Sequence, residues 1–342
     1  MPKQSVLRQI LDDTRLYPSP HNSQPIKVKI KDNKTIEAYY DLRLGLPAES
    51  FGKQFGYVCK GVFLSSLRIV AAHYGYQIKE ELKLTDMDFL SKERLHLFGK
   101  ITFIPTNHVS DEAEKKYQSY MKRQTSRIPY DNSLVSEQIV QEAGEIAKSY
   151  GHVLNVKSDQ RTVSKIIEIN QKTLFLDIKN DAVYNELMEW LRFSEKQAKE
   201  TSDGLSAKTM LIPGGVLKFI MKHRFIWTLP IIGSVIRSIY IRTMRGVRQV
   251  AWITGKFNNY EEYVSAGKCF MDIWVHFTKY GIYLHPYGTV ITNSVSHKQF
   301  TELVNEAEDE GTMAWMLFRL GHSKKPPHSY RRPLTEMIIE EV

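Results

Sequence analysis

"LYPSPHNSQP", Leu16 to Pro25, sets three prolines, two serines, an asparagine and a glutamine into ten positions directly after the amphipathic run "VLRQILDDTR". Such a stretch is either a solvated linker or a loop held in place to present its polar groups. Proline lowers the entropy lost when a loop is ordered, and Ser, Asn and Gln offer both donors and acceptors. Taken alone the composition favours the linker, because Pro, Ser and Asn are common in any turn. The rest of the chain decides between them.

The chain has 342 residues, 42% hydrophobic and 25% charged, with no low-complexity tract. It is long enough for a large core, in one elaborated domain or two, and too apolar for wholesale disorder. Its two cysteines, Cys59 and Cys269, lie in apolar, helix-like segments without metal-ligand spacing, so neither a disulfide framework nor a metal site is expected. The opening "MPKQSVLRQILDD" has acids where a secretory signal needs its apolar core, which makes the cytoplasm the expected compartment.

The net charge of +9 comes from 47 basic and 38 acidic residues, and its distribution is uneven. From Gly204 to Tyr260 there is no Asp or Glu, against nine Lys and Arg; outside that segment the two signs balance. The segment is also apolar, but its longest uncharged run, Phe225 to Ile236, is 12 residues and contains Pro230 and Gly233. A spanning helix needs about 20. A basic apolar element of this kind can lie on an anionic membrane, here through about 211–248, or cap a site for an apolar or anionic ligand. A plain helical insertion with a solvated basic face is the alternative. Nucleic acid is not expected, since no recognition motif accompanies the charge.

Two segments align without gaps: "GVFLSSLRIVAAHYG", Gly61 to Gly75, and "GKCFMDIWVHFTKYG", Gly267 to Gly281. Each begins with Gly, runs apolar at helical spacing, and closes on Tyr-Gly, as a helix ending in a left-handed glycine does. Each is preceded by a helix-like stretch and a polar loop and followed by a strand-like run, which points to an internal duplication. Strands are expected at "IKVKIKDNKTIEAYY", "LHLFGKITFIP", "HVLNVKS" and "AWMLFRLG", with antiparallel hairpins, giving an α+β chain.

"YPSPHNSQP" resembles the P-S-x-x-N-x-Q-P loop of the flavin-dependent nitroreductases, with Pro18, Ser19, Asn22, Gln24 and Pro25 matching and Pro20 and His21 departing from the usual small hydroxylated residues. "KRQTSR" is similar to the family's R-x-S/T-x-K/R segment, so that the resemblance implies an FMN phosphate gripped by Arg123, Thr125 and Arg127. "MLFRLGHSKKPPHSYRRPLTEMI" resembles the family's closing segment, which makes Arg331 and Arg332 the candidates to complete that grip. "LHPYG" stands where family members place a backbone N–H near flavin N5, implying Pro286, Tyr287 and Gly288. The ring loop occurs only in the first half and the phosphate segment only in the second. The chain therefore looks like a fused, degenerate dimer with a single FMN, similar to the Acg-like branch.

The resemblance implies a nitroreductase-like fold of two degenerate repeats. The first half, 1–110, carries the ring loop; the second, 111–342, carries the phosphate site and an apolar basic insertion or lid at about 204–255. It implies an FMN-dependent oxidoreductase that exchanges hydride between flavin and an organic substrate, apolar or acyl-chain in character, by reduction or by desaturation and aromatisation. NAD(P)H is the expected electron donor, and His21, His285 and Tyr287 are the candidate proton handlers. Two alternatives stay open: a flavin-sequestering protein with a lid and no turnover, and a flavin-free peripheral membrane module. The chain is expected to act as a monomeric pseudo-dimer or a homodimer.

Overall fold

The structure, a computed structural model, describes residues 5–49 and 51–340, apart from the side chains of Thr228, Pro230 and Ile232. Helix α1 (Val6–Thr14) is capped by Ser5 and buries Leu7, Ile10, Leu11 and Thr14, a single helical stripe. Strands β1 (Ile26–Ile30) and β2 (Thr35–Asp41) form a hairpin, helix α2 (Gly52–His73) follows, and β3 (Tyr76–Leu82) and β4 (Leu95–Pro105) complete an antiparallel sheet in the order β1-β2-β4-β3.

The second half opens with α3 (Asp111–Lys122), α4 (Glu137–Ser149) and β5 (His152–Lys157). The chain then leaves the sheet for α5 (Gln160–Asp177), α6 (Asp181–Trp190), β6 (Leu191–Arg192), α7 (Glu195–Thr201), β7 (Leu205–Ser206), α8 (Gly214–Lys222) and α9 (Pro230–Thr243). It returns through β8 (Gln249–Lys256), α10 (Tyr260–Lys279), β9 (Tyr283–Pro286), α11 (Gly288–Thr292), α12 (Ser294–Val304) and β10 (Thr312–Gly321). This sheet has the order β5-β8-β10-β9, again wholly antiparallel. First, second, fourth, third is the strand order of both halves.

The expected limits of the insertion need correction. Residues 249–255 belong to β8, the strand that pairs with both β5 and β10, and the excursion runs from 158 to 248. Within it a separate small core gathers Ile178, Leu191, Ala207, Leu217, Ile220 and Met221.

The two aligned segments form α2 and α10, which cross at their glycines. A Cβ on Gly61 would lie 2.0 Å from the Val264 carbonyl oxygen, and one on Gly267 would lie 2.0 Å from that of Val58. The contact is reciprocal, as a pseudo-two-fold axis requires. Both helices end on left-handed glycines, Gly75 at φ 80° and Gly281 at φ 69°. Helix α2 is long and apolar enough to cross a membrane by length and composition, but 83% of its apolar window is buried in the protein, which makes it a core helix. Inside it Lys60 is fully buried with Nζ unpartnered, 3.8 Å from the centroid of the Tyr57 ring and near those of Tyr40 and Phe98. The chain's last described turn comes back to the first half, where the Ile339 N–H donates to the Val28 carbonyl at 2.8 Å.

Candidate functional site

The loop after α1 is tightly strained. His21, Asn22 and Gln24 have φ of 49°, 57° and 54°, a conformation that non-glycine residues keep only when their surroundings impose it. The Ser19 hydroxyl accepts from the Gln24 N–H at 2.9 Å. Asn22 Nδ2 donates to the carbonyls of Gly204 at 3.2 Å and Tyr330 at 3.0 Å. Gln24 Nε2 donates to the Ser202 carbonyl at 3.0 Å, and its Oε1 accepts from the Arg332 N–H at 2.9 Å. Most of the polar capacity of Asn22 and Gln24 is thus committed to holding the loop against the excursion and the C-terminal segment. What remains is Asn22 Oδ1, buried without a partner, and the Ser19 hydroxyl proton. Pro18 and Pro20 lead into this turn.

Arg123 caps α3 and is buried: Nη2 donates to the Leu16 carbonyl at 3.1 Å and the guanidinium lies 4.6 Å from the Trp274 ring centroid. Its Nε has no partner. Burial first, and then the neighbouring Arg331, push its pKa down to about 9. Arg331 donates only to its neighbour's carbonyl, that of Tyr330 at 3.1 Å; its Nε is also buried and unpartnered, and burial lowers its pKa. Neither meets a carboxylate among the described residues. Arg332 is different: it pairs with Asp203, donates to the Ser23 carbonyl at 2.9 Å and lies 3.5 Å from Glu336. Of the two expected candidates, Arg331 is the one with an uncommitted charge.

Thr125 bridges to Leu284, and the Ser126 N–H donates to the Leu284 carbonyl at 3.0 Å, which lays residues 123–127 along β9. Arg127, two residues further on, has a different set of neighbours from Arg123. Its pKa falls to about 10 through burial, with Arg319 as the like charge beside it. Arg319, fully buried on β10, donates to the carbonyls of Thr243 at 2.8 Å and Ser126 at 3.0 Å and keeps Nε unpartnered. No sequence motif marks Arg319. A fully polar strand position opposite a histidine is its one signal, and it becomes visible only once register is known.

His285 stands opposite Arg319 in the β9–β10 pairing, and Pro286 opposite Phe318. Burial, then Arg319 and Arg127, hold the His285 imidazole well below its ordinary pKa, and its Nδ1 has no partner. Tyr287 is buried, its hydroxyl donates to Met244 Sδ at 3.3 Å, and burial raises its pKa to about 12. The Gly288 N–H has no acceptor among the described residues, and a Cβ at Gly288 would meet nothing within 4 Å. His21 is lowered to about 4 by burial and Arg127. Both imidazoles are therefore neutral at pH 7.

Besides Arg319, three acids that no sequence motif marks belong to the site. Glu49, between β2 and α2, lies 3.6 Å from His21 Nε2 through Oε1. Burial first, then Glu186 and Asp177, raise its pKa to about 7. Glu186 on α6 is raised to about 7 by burial; its Oε2 accepts from the Ala48 N–H at 2.8 Å while Oε1 is unpartnered. Asp177, at the end of α5, is raised to about 6 by burial. Their separation along the chain has no motif spacing; only the path of the excursion brings them together. His21 is neutral near pH 7 and Glu49 about half ionised there, so their approach is not an ion pair.

The excursion also roofs the cationic side. Asn170 Nδ2 donates to the Tyr240 hydroxyl at 2.5 Å, and Tyr240 neighbours Arg127, Arg319 and Tyr287. A groove of about 550 Å³ lined by Glu195, Lys208 and residues 325–330 opens beside the loop that accepts from Asn22. A larger groove of about 770 Å³, between α1, Ile30 and Ile339, lies elsewhere and shares none of the site residues.

No family model matches the chain. Two curated relatives, both described as uncharacterized proteins of Mycobacterium tuberculosis, strains CDC 1551 / Oshkosh and H37Rv, are each 25% identical over 181 residues, covering 51% of this chain and 49% of theirs. The chain spans about half the length of the curated relatives it matches. Among solved structures the chain is similar to a nitroreductase with bound FMN from Desulfitobacterium hafniense: 14% identity, TM-score 0.39, 67% of this chain and 98% of that one. It is also similar to the FMN-dependent nitroreductase NfnB of Mycobacterium smegmatis in complex with NADPH: 12% identity, TM-score 0.40, 68% of this chain and 100% of that one. For an iodotyrosine deiodinase bound to FMN and 3-iodo-L-tyrosine the figures are 12%, 0.36, 64% and 94%. At these TM-scores the overlap is partial, and the topology described above rests on the chain's own strand pairing.

Proposed function

We propose that the chain is an FMN-dependent oxidoreductase of nitroreductase-like architecture, holding its flavin between the two halves. The observation that carries this reading is the set of buried arginines without an anion. Arg123 and Arg331 each keep a buried, unpartnered Nε and meet no carboxylate among the described residues. A buried guanidinium without a counter-charge is costly. A phosphate dianion, accepting charge-assisted bonds from several directions, removes that cost.

When bound, FMN supplies hydride acceptance and donation at N5. Arg123, Arg331 and Thr125 hold the phosphate. Arg127, backed by Arg319, gives the far part of the site a positive potential suited to an electron-rich ring. The unpaired Gly288 N–H is a donor at an open position, with Pro286 and Tyr287 fixing it against β10. Ser19 Oγ and Asn22 Oδ1 provide the loop's remaining polar contacts, while Gln24 and Asn22 Nδ2 keep the loop in its strained form. His21 and His285 act as neutral donors or relays. Glu49, with its pKa near 7, is the group able both to hold and to release a proton at neutral pH.

The substrate is organic and apolar, in keeping with the Tyr240, Met244 and Tyr287 roof, and NAD(P)H is the electron donor. One observation favours the flavin store without turnover: the roof is tied at Ser202 and Gly204 to the loop and at Tyr240 to Asn170. Anaerobic mixing separates the two. Bleaching of the flavin bands by NADPH and their recovery with an added acceptor is the outcome expected of the enzyme. A purified protein that neither carries nor rebinds FMN would overturn the proposal.

A further inference from the structure

Among the described residues, half of the exposed large hydrophobic side chains fall between Val216 and Ile241. On α9, Ile231, Val235 and Ile239 are 81%, 53% and 48% exposed, and their i, i+4, i+8 spacing makes one bare stripe. On α8 and the turn after it, the rings of Phe219, His223 and Phe225 follow one another with centroids 4.8 and 6.2 Å apart. The opposite side of the same excursion faces the protein, through Tyr240 and the small core of Leu217, Ile220 and Met221. One face roofs the site, and the other shows apolar side chains to water.

Cations border the outer face. Lys218, Lys222, Arg242 and Arg245 are exposed, and no acid pairs with any of them among the described residues. The chain itself has no Asp or Glu from Gly204 to Tyr260. An apolar patch of this extent marks an interaction surface, and its charge selects the partner. A second copy would bring the same unpaired cations face to face. A lipid bilayer with anionic headgroups satisfies the cations and takes up the apolar stripe together. Helices of 9 and 14 residues are too short to span, so they lie in the plane of the interface.

We infer that the outer face of α8 and α9 docks the protein on an anionic phospholipid surface. This does not depend on flavin binding, so either reading can fail without the other. The test is co-sedimentation of the full-length protein with vesicles of phosphatidylcholine alone and of phosphatidylcholine with phosphatidylglycerol, at low and high salt. Binding is expected on the phosphatidylglycerol vesicles only, weakening with salt and falling about fivefold for each cation removed in Lys218→Gln, Lys222→Gln, Arg242→Gln and Arg245→Gln. The triple change Ile231→Ser, Val235→Ser and Ile239→Ser removes the binding that survives high salt, with unchanged circular dichroism showing the fold intact. Equal binding to both vesicles, no binding, or variants that bind as the parent does would overturn the inference. So would a concentration-dependent dimer, seen by light scattering, that the serine changes abolish.

Discussion

Arg331 and Arg332 are adjacent in sequence and opposite in circumstance, so replacing each by alanine makes a sharp test. Arg332 is tied to Asp203 and to the Ser23 carbonyl, and its side chain is 13% exposed. Asp203 retains Arg192 at 2.6 Å when Arg332 is removed, so the loss is not that of a stranded buried charge. It is one charged hydrogen bond and one carbonyl left without a donor, which together cost about 2–4 kcal/mol of stability in the flavin-free protein. Arg331→Ala removes a bond to its neighbour's carbonyl and also relieves an unpaired buried charge, so flavin-free stability changes by no more than about 1 kcal/mol. Its effect falls on the ligand. A charge-assisted bond to phosphate contributes about 2 kcal/mol, or roughly thirtyfold in FMN affinity, and the stabilisation by a fixed FMN concentration falls by the same amount. Urea melts without FMN and a titration of FMN fluorescence read the two effects separately. The reasoning is refuted if Arg331→Ala unfolds as readily as Arg332→Ala while binding FMN like the parent.

Gly61→Ala and Gly267→Ala each drive a methyl group into a carbonyl 2.0 Å away; each should cost upward of about 3 kcal/mol in a denaturant melt, and the double change less than the sum because both open the same crossing. Glu49→Gln tests the raised carboxyl: its pKa, lifted from 4.5 to about 7, means that the folded protein binds an extra proton between those values, so the parent loses stability as pH rises through that window. The variant should match the parent near pH 4.5 and exceed it by about 1–3 kcal/mol at pH 8; identical pH profiles would show Glu49 to be ordinary. Lys60 runs the other way, with a pKa lowered from 10.5 to about 7, a penalty present in full below pH 7 and relieved as pH rises towards 10.5. Lys60→Met should therefore stabilise the protein by about 1–4 kcal/mol at pH 6 and progressively less towards pH 10, the ring faces offsetting part of the burial cost.

The glycine-flanked helices and the strands at Leu95–Pro105 and His152–Lys157 were legible because each follows one periodicity with a clear stop. β8 was not: "QVAWITGK" is buried at every position but the last, so it lacks the alternation that marks a strand and was absorbed into the basic segment beside it. The loop at Pro18–Pro25 was recognised as ordered, but the sequence cannot tell a side chain that meets a ligand from one that holds a loop. Asn22 and Gln24 are mostly the latter. Glu49, Asp177 and Glu186 come from three elements with no shared pattern, and the choice between Arg331 and Arg332 turns on Asp203, more than a hundred residues away.

The shared strand order pairs α1 with α4, the helix that directly precedes the first strand of each sheet and packs on the long glycine helix of its own half. Helix α3 and Arg123, which ends it without an acid beside it, have no counterpart among the described residues of the first half. A symmetric pair of subunits would carry the cationic segment 123–127 twice; here it occurs once, laid along β9. The proposed site therefore predicts saturation at one flavin per polypeptide, even in a preparation that pairs in solution.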